Sequence, residues 1–402
     1  MIRVHFRNRS VMCAVAIALL NGAQARPDIA AQEQSRNGVP IFVVDPQWPQ
    51  MPDNWMLGQV SGVGSEDVTG HVWIVNRPSS LAESSLYAEQ NPRLAECCVR
   101  PTPILEFEEN GKFVRGWGGP GQEYEWPKPE RGFEGPRTYG DCCRPENGEH
   151  GAFIDSKGFF WTGGNSSASH HILKFTKDGQ FVLQIGREGQ SKGSNDTQNL
   201  NKPTGFAEFG NELFVSDGYV NRRVVVFDIN TGAYKRHWGA YGNKPDDSAP
   251  RTPSSKIPGP AQFNLVHGID VSRDGLLYVA DRVNNRVQVF KTDGTFVTEG
   301  LTAQCGTSNG SAFDVALSPD PEQEFLYVAD GCNGHVVILR RSTLERIGQF
   351  GRNGRLAGEW FHLHSIATDV KGNIYTGESL GARAQKFVFK GYGRSAKGSD
   401  QN

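Results

Sequence analysis

After residue 25 the chain lacks any apolar run near the roughly 20 residues that a transmembrane helix needs. It also lacks a charge excess, since 42 Lys and Arg against 44 Asp and Glu give a formal net charge of −2. No C-x-x-C-H haem motif, phosphate-binding loop or nucleotide-binding glycine pattern occurs. We therefore expect no membrane anchor, no nucleic-acid partner and no nucleotide cofactor.

The first 25 residues have the pattern of a secretory signal peptide. Arg3, Arg7 and Arg9 precede a run of about ten apolar residues, and an A-Q-A sequence ending at Ala25 fits a cleavage site. We expect cleavage near Ala25 and a secreted or periplasmic location. Loss of three arginines would bring the formal charge to about −5, which again disfavours anionic partners.

Six cysteines follow residue 25, and an even number in an exported chain predicts disulfides. Cys305 and Cys332 form a plausible pair. The doublets at 97/98 and 142/143 are expected to cross-link with each other.

The chain repeats itself, and the repeat indicates the fold. The segments HGAFIDSKGFFWTGG, TGFAEFGNELFVSDGYVNRRVVVF, HGIDVSRDGLLYVADRVNNRVQVF and HSIATDVKGNIYTGESLGARAQKF each contain an alternating strand, a tight turn, a second strand, a polar loop and a third strand. A fourth strand follows in most copies. Six such copies at a period of roughly 45–65 residues predict an all-β, six-bladed β-propeller.

The last copy lacks its outer strand, whereas VPIFVVDPQWP at 39–49 is a strand without a copy of its own. We therefore predict that the N-terminal strand completes the last blade and closes the ring, which removes an open sheet edge. The predicted organisation is a signal peptide at 1–25, a linker at 26–38, the propeller at 39–390 and a flexible C-terminal tail at 391–402.

Histidine opens the innermost strand of every second blade. His150, His267 and His364 stand there in blades 2, 4 and 6, and Ser61 or Gly62 is the counterpart in blade 1. Blades 2, 4 and 6 of a six-bladed ring are about 120° apart, so three imidazoles are predicted to meet on the axis. Three histidines with an open fourth position are the usual ligands of catalytic zinc, and we expect one zinc ion there.

Other candidate residues lie on the loop after each second strand, at the same face as the histidines. They are Arg77, Tyr219 and Arg282, with both arginines expected at one register. An arginine binds a carboxylate bidentately, and a tyrosine beside a metal accepts a proton. The alternative is that each loop arginine only pairs with a neighbouring aspartate, such as Asp281. His362, two residues before His364, could line the channel as well, but we expect it at the surface.

The repeats resemble the NHL family, through the pattern Ala280-Asp281…Asn284…Arg286-Val287-Gln288-Val289-Phe290. The three histidines, together with D-G-Y-V-N-R-R around Tyr219 and A-D-R-V-N-N-R around Arg282, resemble the peptidyl-α-hydroxyglycine α-amidating lyases. The resemblance implies zinc held by His150, His267 and His364, with Tyr219 as proton acceptor and Arg77 and Arg282 orienting a carboxylate. It implies cleavage of a C–N bond to give an amide and glyoxylate.

The sequence departs from this family where an acidic calcium ligand would follow the last histidine. Ser365 stands there, which disfavours structural calcium. We expect a monomer that takes a small-molecule or peptide-derived substrate at its loop-rich face. Two alternatives stay open: a metal-dependent hydrolase or lactonase, for which Glu378 and Asp314 are the candidate ligands, and a non-catalytic NHL-repeat binding scaffold.

Overall fold

The structure, a computed structural model, describes residues 38–129 and 148–394. Within these residues, 24 strands form six four-stranded antiparallel sheets, which confirms the six-bladed propeller. From the innermost strand outward, blade 1 consists of β2 (Gln59–Ser65), β3 (Val72–Arg77), β4 (Ile104–Phe107) and β5 (Phe113–Trp117), and blade 2 of β6 (Glu149–Ile154), β7 (Phe160–Gly164), β8 (His171–Phe175) and β9 (Phe181–Gly186). Blade 3 consists of β10 (Pro203–Phe209), β11 (Glu212–Asp217), β12 (Arg223–Asp228) and β13 (Tyr234–Trp238), and blade 4 of β14 (Val266–Val271), β15 (Leu276–Asp281), β16 (Arg286–Lys291) and β17 (Phe296–Leu301). Blade 5 consists of β18 (Ala312–Leu317), β19 (Phe325–Asp330), β20 (His335–Arg340) and β21 (Glu345–Phe350), and blade 6 of β22 (Leu363–Thr368), β23 (Ile374–Glu378), β24 (Arg383–Arg394) and β1 (Gly38–Asp45).

The described loops hold five short 3-10 helices, at Pro78–Ser80, Glu83–Ser85, Tyr87–Glu89, Ala240–Gly242 and Arg282–Asn284. None of the helices in the described residues is long and apolar enough to cross a membrane. The expected signal peptide, most of the linker and residues 395–402 lie outside those residues.

The N-terminal strand closes the ring as predicted. β1 is the outermost strand of blade 6 and pairs antiparallel with β24, from Gly38 opposite Arg394 to Asp45 opposite Lys386. Phe42 of β1 packs against Phe350 of blade 5, with ring centroids 4.9 Å apart. The strand continues past 391, where we predicted that the tail begins: β24 ends at Arg394, and 392–394 pair with β1.

The core consists of six apolar clusters, one between each pair of neighbouring blades. Because side chains alternate across a strand, one strand serves two clusters. In β15, Leu277 and Val279 pack toward blade 3, whereas Tyr278 and Ala280 pack toward blade 5. The second strands are therefore apolar on both faces, and each blade depends on both neighbours for burial.

The NHL pattern has a structural role at the end of the second strand. The Asp281 carboxylate ends β15 and accepts hydrogen bonds from Arg286 Nε (2.8 Å), Asn284 Nδ2 (2.7 Å) and the Asn264 backbone N–H (2.7 Å). Blade 3 repeats the arrangement, since the buried Asp217 pairs with Arg223. The motif thereby fixes the loops on the face where the histidines lie.

Two disulfides are present among the described residues. Cys305–Cys332 joins the connection entering blade 5 to the loop after β19, as predicted. Cys97 pairs with its neighbour Cys98, so the predicted cross-link between the two doublets is wrong for this pair. Cys142 and Cys143 lie outside the described residues.

Candidate metal centre

A β-bulge lies at the start of every inner strand. The register shifts between Val60 and Gly62 in blade 1, after His150 in blade 2, and at corresponding places in the other four blades. A bulge removes a residue from strand pairing and redirects its side chain. Five equivalent positions lie in these bulges, and His150 is the last paired residue before the bulge of blade 2; the five are Ser61, Thr204, His267, Phe313 and His364. The six inner strands therefore share a local backbone feature at the positions where the sequence predicts alternating histidines.

The three histidines meet as predicted. Their ring centroids are 5.1 Å apart for His150 and His267, 5.0 Å for His150 and His364, and 4.8 Å for His267 and His364. One ring nitrogen from each lies within 4.8 Å of the others, and all three side chains are buried. They border a central cavity of about 600 Å³ between the inner strands. This cluster can hold a metal ion.

Hydrogen bonds to the next blade orient two of the rings. His150 Nδ1 donates to the carbonyl oxygen of Thr204 at 3.0 Å, and His267 Nδ1 donates to that of Phe313 at 2.7 Å. Such a bond fixes the tautomer and leaves Nε2 with a lone pair for a metal. His364 Nδ1 is buried and has no hydrogen-bond partner among the described residues.

The surroundings keep the imidazoles neutral. Burial lowers the pKa of His150, His267 and His364 well below the ordinary value, because water no longer solvates the charged form. The positive charges of Arg77 and Arg282 lower the pKa of His150 and His364 further, and Arg282 does so for His267. Neutral imidazole is the metal-binding form, so the cluster suits a cation better than a proton.

Tyr219 lies directly against this cluster. Its hydroxyl oxygen is 3.3 Å from Nε2 of both His150 and His267. The preceding glycine makes this approach possible, because a Cβ on Gly218 would lie only 1.8 Å from the carbonyl oxygen of Val266. The D-G-Y sequence thus carries the tyrosine from blade 3 to the edge of the cluster.

The two predicted arginines are buried beside the cluster. Arg282 does not pair with Asp281. Its Nε donates to the Asn309 carbonyl oxygen and its Nη2 to Asn309 Oδ1, both at 2.7 Å, and its guanidinium lies 3.5 Å from the centroid of the Phe313 ring. The alternative reading, in which this arginine only neutralises the adjacent aspartate, is wrong.

Arg77 takes the same register as Arg282, as predicted. It lies opposite Gln59, two residues before Ser61, just as the Arg282 N–H bonds to the carbonyl oxygen of Leu265, two residues before His267. The Arg77 guanidinium donates to the Glu149 carbonyl oxygen (2.9 Å), Gln59 Oε1 (2.9 Å) and Asn165 Oδ1 (3.1 Å). It also contributes positive charge at His150 and His364.

His362 is a site residue that the sequence interpretation placed wrongly at the surface. It is 1 % exposed, and its ring centroid lies 5.0 Å from Phe313 and 6.4 Å from His364. Its Nδ1 is 2.5 Å from Ser379 Oγ. The H-L-H spacing was the available signal for a second channel histidine, although His362 precedes β22 and its left-handed backbone, not strand alternation, directs its side chain.

The carboxylates considered for a hydrolase are occupied by structural contacts. Glu378 pairs with Arg383 and accepts the Phe361 backbone N–H at 2.7 Å. Asp314 accepts the backbone N–H of Val315 (2.9 Å) and of Ile366 (3.0 Å), which ties blade 5 to blade 6. Neither carboxylate belongs to the histidine cluster.

Comparisons with known proteins find similarity to NHL-repeat sequences. A model of the NHL repeat matches residues 263–290. NHL repeat-containing protein 3 of Homo sapiens is 23% identical over 87% of this chain and 84% of its own length. A solved structure of streptogramin B lyase covers 87% of this chain and 98% of that chain, with a TM-score of 0.47 and 14% identity.

Two further relatives carry amidating activities in their names. Peptidyl-glycine alpha-amidating monooxygenase B of Xenopus laevis is 32% identical over 59% of this chain and 26% of its own length. Probable peptidyl-alpha-hydroxyglycine alpha-amidating lyase pgal-1 of Caenorhabditis elegans is 29% identical over 57% of this chain and 60% of its own length. This chain is therefore a six-bladed β-propeller that carries an NHL repeat and is distantly related to the peptidyl-α-hydroxyglycine α-amidating lyases.

Proposed function

We propose that this protein is a zinc-dependent lyase that cleaves the C–N bond of an N-acyl-α-hydroxyglycine or a similar carbinolamide. The observation that carries the proposal is the cluster of three buried histidines with the Tyr219 hydroxyl 3.3 Å from two of them. The distant relationship to amidating lyases supports the reaction class.

The residues present fit a divalent ion. Three neutral imidazoles form the donor set, and two of them are oriented by carbonyl oxygens of the next blade. Three histidines with an open position are typical of catalytic zinc. His150, His267 and His364 would hold the ion, which would supply Lewis acidity at the substrate hydroxyl.

The protein side chains would move the proton and hold the carboxylate. Deprotonated Tyr219 accepts the hydroxyl proton while the C–O bond becomes C=O and the C–N bond breaks, its electron pair going to nitrogen. The nitrogen then takes this proton from the Tyr219 hydroxyl, so that an amide and glyoxylate form without any redox change and the tyrosinate is restored. Arg282 and Arg77 supply positive charge for the carboxylate and orient it.

We further propose a monomeric protein in the periplasm or outside the cell. The substrate would enter from the face that carries the loops after β3, β11 and β15, because Arg77, Tyr219 and Arg282 lie there. Calcium is left out of the proposal, since Ser365 follows the last histidine.

The first experiment is the zinc content of the purified protein by elemental mass spectrometry. We expect about one zinc per chain, as in other three-histidine sites, and its loss in a variant with alanine at 150, 267 and 364. No stoichiometric metal, even after zinc is supplied, would contradict the proposal and favour a non-catalytic NHL-repeat scaffold.

The second experiment is turnover of N-benzoyl-α-hydroxyglycine, with benzamide and glyoxylate as the measured products. Tyr219→Phe should lower kcat by on the order of 10²–10⁴-fold and leave the zinc content unchanged. Tyr234→Phe, on the outer strand of the same blade, is the matched control. A zinc-loaded protein that opens lactones but leaves this substrate intact would be a hydrolase instead.

A further inference from the structure

A row of hydrogen-bonded side chains runs from the strand end of blade 6 to Arg282. It consists of Ser379, His362 and Asn309, which we call the Asn309 relay. Ser379 Oγ lies 2.5 Å from His362 Nδ1, and His362 Nε2 lies 3.3 Å from Asn309 Nδ2. Asn309 in turn accepts a hydrogen bond from Arg282 Nε at its carbonyl oxygen and one from Arg282 Nη2 at Oδ1.

Arg282 fixes the orientation of the Asn309 amide. Arg282 can only donate, so Asn309 Oδ1 must face Nη2 at 2.7 Å. His362 Nε2 lies 3.3 Å from Asn309 Nδ2 and 3.4 Å from Asn309 Oδ1, so it either accepts from the amide nitrogen or donates to the oxygen. Ser379 Oγ bonds to Nδ1 in both cases, because a hydroxyl both donates and accepts.

The backbone at His362 directs the imidazole into the site. It adopts a left-handed conformation with φ of 67°, as do Leu265 (72°) and Lys202 (60°) before the inner strands of blades 4 and 3. The bend therefore belongs to the entry to the inner strands, and in blade 6 it places an imidazole beside Phe313 rather than on the surface.

The relay connects the arginine to the metal cluster through Phe313. Arg282 stacks on the Phe313 ring, and the Phe313 carbonyl oxygen accepts from His267 Nδ1 at 2.7 Å. The distance between the guanidinium and the histidines is thus fixed from two sides. A substrate whose carboxylate and hydroxyl must reach both groups would depend on that distance.

We propose that Asn309 and His362 are positioning residues, which fix Arg282 so that the site selects ligands with a carboxylate over those without one. The inference rests on the proposed function and deepens it, since it names the residues that hold the carboxylate-binding Arg282 in place. It requires that a carboxylate bind even where no bond is broken.

The test measures binding at equilibrium, so that it does not depend on turnover. Calorimetry with the zinc-loaded protein compares N-benzoylglycine, which has the carboxylate, with benzamide, which has none. Asn309→Ala and His362→Phe should each weaken N-benzoylglycine binding by about tenfold, the typical loss for a misplaced charge-assisted hydrogen bond. Benzamide affinity and zinc content should stay unchanged. Gln304→Ala, at an exposed position of the same loop, is the control.

Two results would overturn the inference. One is a wild-type protein that binds N-benzoylglycine no more tightly than benzamide. The other is a loss in both variants that is equal for the two ligands, which would indicate general damage to the site. If carboxylate binding depends on the relay but no C–N bond is cleaved, the lyase proposal fails and the anchor stands.

If the lyase is active, kinetics add a second readout. Both variants should then raise KM for N-benzoyl-α-hydroxyglycine about tenfold with little change in kcat, as expected for a lost binding interaction. The carboxylate-free analogue N-(hydroxymethyl)benzamide should show unchanged kcat/KM. An equal fall in kcat/KM for both substrates would contradict a positioning role.

Discussion

Substituting Asp281 with asparagine tests whether the NHL motif stabilises the propeller through one buried carboxylate. Asp281 and Arg286 are both fully buried, and the carboxylate accepts from Arg286, Asn284 and the Asn264 backbone N–H. Asparagine has one acceptor oxygen where aspartate has two. Its amide nitrogen would therefore face at least one of these donors.

The expected cost follows from the partners that remain. Removing one member of a buried ion pair costs roughly 3–5 kcal/mol, because it leaves a charge without compensation. Arg286 keeps Glu299 Oε2 at 2.9 Å and the Pro260 carbonyl oxygen at 2.8 Å. Asp281→Asn should therefore lower the free energy of unfolding by about 3 kcal/mol, the lower end of that range.

The assay is urea unfolding followed by tryptophan fluorescence, with the slope compared between variants. The control is Glu108→Gln, which removes the exposed ion pair between Glu108 and Lys112. Exposed pairs contribute about 0–1 kcal/mol, so this variant should unfold at nearly the wild-type urea concentration. If Asp281→Asn cost no more than Glu108→Gln, the structural reading of the motif would be refuted.

Three further predictions concern stability. Burial raises the pKa of Asp314 to about 7, above its value in the unfolded chain. The proton that Asp314 takes up on folding therefore stabilises the protein at low pH, and this contribution disappears as the pH rises through 7. Asp314→Ala should cost more stability at pH 5 than at pH 8, as measured by thermal unfolding. Loss of the Cys305–Cys332 disulfide by a double serine substitution should cost about 3–4 kcal/mol, as for a loop of this length, and an unchanged Tm would contradict it. Phe42→Ala should cost about 2 kcal/mol, because the ring is only half-buried, and urea titration should show no such loss for the exposed Val43→Ala.

The sequence was sufficient to predict the ring because its signals repeat. Each blade presents the same order of alternating strands and turns, and the missing outer strand in the last copy matched the extra strand at the start. The three histidines followed from the same alignment, since equivalent positions of a symmetric ring meet on its axis. The inner-strand bulges explain why these particular positions point inward.

The side-chain contacts between blades could not be predicted from the repeated strand and turn pattern. Arg77 was assigned correctly to the register of Arg282, but its contacts with Glu149 and Asn165 of blade 2 could not be predicted from the repeat. His362 was misplaced because its side chain depends on a left-handed backbone and on Asn309, which comes from the connection entering another blade. The cysteine doublet allowed several pairings, and composition alone could not choose among them.

The pairing of β1 with β24 also sets the order in which the protein can be completed. Gly38 lies opposite Arg394, so the first and last strands of the described chain are partners. Local strand pairs can form early, because the other five blades are each continuous in sequence. Ring closure must wait until the last strand is available, and a chain that stops before residue 383 leaves β1 with no strand to pair with in blade 6. Synthesis of the final dozen strand residues is therefore the step that turns an open row of blades into a closed propeller.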